Sequence, residues 1–262
     1  MTAERVVDRH SLTEKLYISS IDKDCGMLAR SWGLGVEIAE FCWAQYLDVD
    51  REAHIEKCRS IMEGVRRFRF HAPFAELAAC AIDPKARKLA YDRYMESVDL
   101  SLSLGVDTVV IHGGFIPHVY FPEYYVSASV DFWKEFMESI PESVYIVLEN
   151  VMEPAPETLV EIVEKVRKPN LGLCLDLGHA NCDVSKTPPE EWISPMAEHM
   201  KHVHIHNNFG TEDLHCPLGE GTIPMERILD RIMTECPEAG FTIENQHSEK
   251  SLLWLKERGY LI

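Results

Sequence analysis

Eight short apolar runs, separated by longer segments of helical period, constrain this chain to a parallel α/β fold. The runs are Leu16–Ile18, Val36–Ile38, Phe68–Phe70, Thr108–Ile111, Val144–Leu148, Leu171–Leu175, His202–Ile205 and Phe241–Ile243. Helical pattern fills the intervals. It is clearest over 84–104, where Pro84 suits a first turn and Gly105 stands just past the end. Helices are also expected over 126–140, 156–167, 224–236 and 248–258. Eight strand–helix pairs in a chain of 262 residues imply a closed single-domain (β/α)8 TIM barrel over residues 15–262 rather than an open sheet. Residues 1–14 read as a polar, frayed extension.

The bulk chemistry narrows the partners. The formal net charge is -17, which argues against nucleic acid, because phosphate binding calls for an electropositive surface. The eight cysteines form no CxxC pair, so neither a zinc knuckle nor a thioredoxin-like motif is indicated. No run approaches the roughly 18 apolar residues of a membrane span, and MTAERVVDRHSL lacks the apolar run of a signal peptide. The expectation is a cytoplasmic protein with reduced thiols, for which a homo-oligomer is compatible and a membrane partner is not.

In a barrel of this kind the chemistry sits at the carboxyl ends of the strands. Here those ends carry His71 (HAPF), His112 (VVIHGG), Glu149 (VLEN), Asp176 and His179 (LDLGH), and Glu244 (TIEN). Strand seven places His202, His204 and His206 on one face by its period of two, and the next loop adds Asp213 and His215. Any one of these is more readily a cap, an ion-pair partner or a structural histidine. Their delivery to one mouth by six successive strands is what points to metal: converging carboxylates raise one another's pKa unless a cation neutralises them. A mixed imidazole and carboxylate set suits zinc or manganese, with more than one ion accommodated. Of the three strand-seven histidines, His204 is expected to reach the centre, His206 to contact substrate, and His202 to lie behind.

These motifs, in this order, resemble the xylose isomerase-like TIM-barrel superfamily, which holds sugar and sugar-phosphate isomerases and epimerases together with endonuclease IV (the family 2 AP endonucleases). The resemblance spans roughly residues 16–260. By analogy with the epimerases it implies Glu149, Asp176, His204 and Glu244 as metal ligands, with His179 near the substrate. By analogy with endonuclease IV it implies a further metal site from His71, His112, His179, Asp213 and His215. The surroundings depart from the nuclease: Arg-rich recognition loops are absent, and the loop after strand four, FIPHVYFPEYYV, is aromatic and nearly uncharged. Phe115 in that loop, and Trp43 with Tyr46 in the loop after strand two, suit stacking on a sugar face or burial as a lid.

Two mechanisms follow from the resemblance. A metal-dependent isomerase or epimerase would move a proton through a metal-stabilised enediolate, with Glu149 and Glu244 as the catalytic pair and His179 assisting; its partner would be a small-molecule sugar or sugar phosphate. The alternative is an endonuclease IV-like zinc-dependent phosphohydrolase, in which Glu149 bridges ions and His71, His112 and His215 become necessary. Residues 217–224, PLGEGTIP, end at a helix start and read either as a backbone phosphate cradle or, more simply, as a turn.

Overall fold

The computed structural model describes residues 8–262. It is a closed, all-parallel barrel in which each strand pairs with its sequence neighbours and the eighth closes on the first. The strands are β1 (Leu16–Ser19), β2 (Gly35–Ile38), β3 (Phe68–His71), β4 (Thr108–His112), β5 (Tyr145–Glu149), β6 (Leu171–Asp176), β7 (Met200–Ile205) and β8 (Gly240–Ile243). Around them lie α1 (Cys25–Trp32), α2 (Arg51–Met62), α3 (Pro84–Ser103), α4 (Pro122–Glu138), α5 (Glu157–Val166), α6 (Leu177–Asn181), α7 (Pro189–Met196), α8 (Met225–Glu235) and α9 (Glu249–Glu257). The expected barrel and its eight strands are therefore present. No helix among the described residues is long and apolar enough to cross a membrane, and all eight cysteines are free thiols.

Alternation along each strand divides the barrel's two environments. Val109, Ile111, Ile146, Leu148, Leu173, Leu175, Val203 and Ile205 join the main core beneath the helices. Their alternates, Val110, Val147 and Cys174, form a small separate cluster inside the barrel. The remaining interior is polar: Glu37, His202, His204 and Thr242 have no exposed surface. Branched aliphatic layers ordinarily fill this space. The departure places titratable side chains inside the barrel as well as at its rim.

Two stretches differ from expectation. The aromatic segment after β4 is loop only to Phe121. Pro122 occupies the first turn of α4, and Tyr125 and Val126 extend the buried stripe that continues through Val130 and Trp133. A proline-initiated start places Tyr125, expected in a loop, on the helix's core face beside Val126, where the helical pattern begins. Of the expected extension 1–14, residues 1–7 lie outside the described residues. From Arg9 to Lys15 the chain is a 3₁₀ helix whose Leu12 is wholly buried. Arg9 Nε donates to Asp230 Oδ1 at 2.8 Å and its Nη1 to Glu226 Oε1 at 2.8 Å, which ties the segment to α8. Leu12→Ala is expected to lower unfolding free energy by about 2–5 kcal/mol, the usual cost of emptying a buried leucine site. A denaturant titration showing a loss under about 0.5 kcal/mol would mean that the segment does not dock in solution.

Candidate metal centre

The residues expected at the strand ends meet at one mouth, and their local hydrogen bonds aim them. His71 Nδ1 lies 2.8 Å from the Ala72 carbonyl, His179 Nδ1 3.0 Å from the Asn150 carbonyl, and His215 Nδ1 2.8 Å from the Glu244 carbonyl. A carbonyl only accepts, so each Nδ1 carries a proton, and Nε2 is the nitrogen left to ligate once the ring is neutral. This is the arrangement that fixes metal-binding histidines.

The asparagines of VLEN and TIEN hold the rim together. Asn150 Oδ1 accepts from the Asp176 N–H at 2.8 Å while its Nδ2 donates to the Asp176 carbonyl, joining β5 to β6. Asn245 Nδ2 donates to the carbonyls of His215 and Cys216, anchoring the loop after β7 to β8. In LDLGH, Gly178 is required by packing: a Cβ there would sit 1.8 Å from His206 Cε1.

The donors fall into three groups, the first two of which share Glu149. Glu149 Oε2 lies 3.2 Å from His71 Nε2 and 3.5 Å from His112 Nε2. His204 Nδ1 faces Glu149 Oε1 at 3.4 Å, Glu244 Oε1 at 3.5 Å and Asp176 Oδ2 at 3.8 Å. Asp213 Oδ2 lies 3.3 Å from His179 Nε2 and 2.9 Å from His215 Nε2. A tetrahedral ion with arms of about 2.0–2.1 Å sets its donors about 3.3 Å apart, so these spacings fit a shared cation. His204 Nδ1 supports the fit independently. It is fully buried, has no hydrogen-bond partner, and is surrounded by carboxylate oxygens.

The electrostatics agree. Five carboxyls, from Glu37, Glu149, Asp176, Asp213 and Glu244, crowd this volume. Burial alone would raise Glu149, yet the facing His204, His112 and His179 imidazoles hold it well below the usual carboxylate range. Glu244 goes the other way: burial, with Glu149, Asp176 and Glu37 nearby, raises its carboxyl against the pull of His204. Burial disfavours charge on the histidines, but Asp213 outweighs it at His215, which rises to about 9. Burial dominates at His112, which falls to about 3 and is neutral. Protons on imidazoles balance the acids here, a role that divalent cations can take over.

Other expected residues lie elsewhere. His206 is buried behind Asp176, its Nε2 3.1 Å from Oδ2, and its ring is stacked on His215 at 4.0 Å between centroids. Its Nε2 also lies 3.7 Å from Asp213 Oδ1, so it stands among the possible metal donors, with Asp213 and His215 on one side and Asp176 and Glu244 on the other. Phe115 is 7% exposed and packs edge-on against Tyr125, so it belongs to the core. Trp43 is 55% exposed and lies beside Phe74; Phe74 stacks on His112 at 4.4 Å, making an aromatic wall at the donors. Tyr46 instead stacks on His54. The phosphate cradle at 217–224 has little to offer: the N–H groups of Leu218, Glu220, Thr222 and Ile223 are spent on Ser251, Pro217, Asn208 and Asn207.

Three contributors, Glu37, Phe74 and Glu153, were not expected from the sequence. Glu37 is described below. Glu153 is buried and accepts from the Tyr125 hydroxyl at 2.7 Å and the Val151 N–H at 2.8 Å. It ties the β5 loop to α4. Only the FPEYYV and VLENVMEP motifs could have hinted at such a pair.

Comparison with known proteins places this geometry. A structure called a D-tagatose 3-epimerase-like protein superposes with TM-score 0.75 at 24% identity, covering 94% of this chain and 96% of that one. A protein of Thermus thermophilus, soaked with zinc chloride, superposes with TM-score 0.72 at 26% identity over 93% and 97% of the two chains. An uncharacterised protein of Methanocaldococcus jannaschii is 30% identical over 188 residues, covering 68% of this chain; the match spans 64% of that relative's length. The sequence profile of the xylose isomerase-like TIM barrel matches residues 29–258. With strand-end donors, closed barrel and profile in agreement, the chain belongs to the xylose isomerase-like TIM-barrel family.

Proposed function

We propose that this protein is a metal-dependent sugar isomerase or epimerase. The observation that carries the reading is the placement of two carboxylates, Glu149 and Glu244, at 3.4 and 3.5 Å from the unpartnered Nδ1 of His204. Glu149, Asp176, His204 and Glu244 would hold the ion. Bound there, a zinc or manganese ion supplies positive charge beside a substrate carbonyl and its neighbouring hydroxyl, acidifying the C–H between them. The protein's own groups do the rest. Glu149 and Glu244 have carboxyls pushed in opposite directions, the condition under which one takes a proton and the other returns it. His179 Nε2, held by its Nδ1 contact to Asn150, stands where it can orient a hydroxyl. Phe74 and Trp43 offer apolar faces for a sugar ring. The D-psicose 3-epimerase of Clostridium cellulolyticum, whose structure holds D-tagatose, shares the barrel with TM-score 0.69 at 17% identity.

A second reading, a zinc-dependent phosphohydrolase, has one observation of its own. Glu149 turns one oxygen to His71 and His112 and the other to His179 and His204, as a ligand bridging two ions would. The net charge of -17 weighs against a long nucleic-acid substrate.

Incubation with ketoses and ketose phosphates in deuterated water separates the readings. Manganese- or zinc-loaded protein is expected to wash deuterium into the carbon beside the carbonyl of at least one substrate, seen by NMR. Chelation should stop the exchange and metal should restore it. Phosphodiester cleavage without any C–H exchange would replace the first reading with the second.

A further inference from the structure

Beneath the mouth, inside the barrel, is a second set of polar groups. Glu37 stands on β2, with Val36 and Ile38 turned to the helices and its own side chain turned inward. β2 and β7 are not neighbours in the sheet, so the contacts of Glu37 with β7 cross the barrel interior. Glu37 Oε1 lies 3.0 Å from His204 Nε2. Glu37 Oε2 accepts from the Thr242 hydroxyl at 2.7 Å and lies 3.0 Å from His202 Nε2. His202 Nε2 is also 2.7 Å from Thr242 Oγ1. The four groups have no exposed surface.

From this geometry we infer that Glu37 is a positioning residue, holding His204 as the Nε2–H tautomer so that Nδ1 turns its lone pair to Glu149, Asp176 and Glu244, with His202 and Thr242 fixing Glu37 in place. The inference rests on the metal-site reading above. Three facts carry it. His204 Nε2 lies 3.0 Å from Glu37 Oε1, closer than any of the carboxylate oxygens at 3.4–3.8 Å from Nδ1, so the proton of the neutral ring belongs on Nε2. On its other side His204 Nδ1 faces the oxygens of Glu149, Glu244 and Asp176 at 3.4, 3.5 and 3.8 Å, too far for a hydrogen bond of normal length but within reach of a shared cation. A carboxylate behind a histidine is the arrangement that sets ring orientation and raises basicity at a metal.

Glu37, His202 and His204 are also close enough to hold an ion themselves. The hydrogen bonds argue otherwise. Thr242 gives its one hydroxyl proton to Glu37 Oε2 and takes one from His202 Nε2, so those atoms are engaged and only Glu37 Oε1 and His204 Nε2 are left to face one another. A buried carboxylate retained solely for packing would also be unusual, because an apolar side chain of similar volume fills such space at less cost.

The test compares wild type with Glu37→Gln and Thr242→Val. Zinc affinity is read by competition with a chromophoric chelator. The histidine tautomers are read from ¹⁵N shifts of chelator-treated protein, and the fold from circular dichroism. Wild type should show His204 protonated on Nε2. Glu37→Gln should weaken zinc binding about 10–100-fold at the tightest site with the fold retained. Thr242→Val, which removes one hydrogen bond and keeps the shape, should weaken it by a smaller factor and serves alone if Glu37→Gln does not fold. Unchanged zinc affinity in the folded variants, an Nδ1–H tautomer at His204, or zinc located on the Glu37 carboxylate by anomalous scattering would each overturn the inference while leaving the proposed function standing. A wild-type protein that takes up no divalent cation would bring down both.

Discussion

Glu149→Gln is expected to lower turnover by about a thousandfold or more, the scale lost when a positioned acid or base is removed, and to release metal as well. Among the described acids of the mouth, Glu149 faces the most imidazoles. Its oxygens lie 3.2 and 3.5 Å from His71 and His112, and 3.3 and 3.4 Å from His179 and His204. Glutamine keeps the shape but turns one acceptor into a donor and deletes the negative charge on which four imidazoles converge. Glu244→Gln should cost turnover on the same scale with a smaller loss of metal, because Glu244 approaches His204 at 3.5 Å and His215 Nδ1 only at 3.9 Å. Steady-state rates paired with elemental analysis separate the two effects. A Glu149→Gln enzyme with full metal and a rate within about tenfold of wild type would remove Glu149 from the chemistry.

How much of this is legible in the sequence follows from the physics of the strand. Alternation with a period of two sends every second residue inward, so a polar residue ending an apolar run reads directly as a mouth residue. That is why His71, His112, Glu149, Asp176, His204 and Glu244 can be named from sequence. Glu37 sits in an equally apolar run, but its partners His202 and Thr242 are 165 and 205 residues away. Nothing local marks a contact that forms only when the barrel closes. The burial of His206 and Phe115 is hidden for a related reason. They lie just past strand ends, where loop path decides exposure. The return of the loop from Asn207 to Cys216, which bridge one another, lays His215 over His206 and buries it. Phe115 is covered because α4 starts four residues earlier than its apolar pattern alone suggests, at Pro122, and brings Tyr125 against it.

Zinc titration should show one tight ion and at least one more that binds after it. The set Glu149, Asp176, His204 and Glu244 combines three carboxylates with one imidazole and is the most negative, so it fills first. The outer sets are richer in histidine. His71 and His179 are held well above the ordinary imidazole range: burial opposes their charge, but Cys42 and Glu149 at His71, and Asp176, Asp213 and Glu149 at His179, outweigh it. His215, at about 9, behaves likewise. Each must lose its proton to donate to zinc, so binding at the outer sets releases protons and is weakened by acid. The sign is fixed by these raised values: apparent affinity at the outer sets climbs as pH rises, and for the set that uses His215 the climb runs to about 9. His112, already neutral near pH 7 because it lies at about 3, adds nothing to this slope. Elemental analysis after zinc loading should therefore find more ions per chain at about pH 8.5 than at about pH 6. His71→Ala and His112→Ala should each lose one of the later ions while keeping the first. A stoichiometry of one at both pH values, unchanged in both variants, would show that these histidines serve substrate or structure. It would also take away the bridging role of Glu149 on which the phosphohydrolase reading depends, leaving a single ion flanked by two carboxylates, the arrangement that proton transfer at a sugar carbon requires.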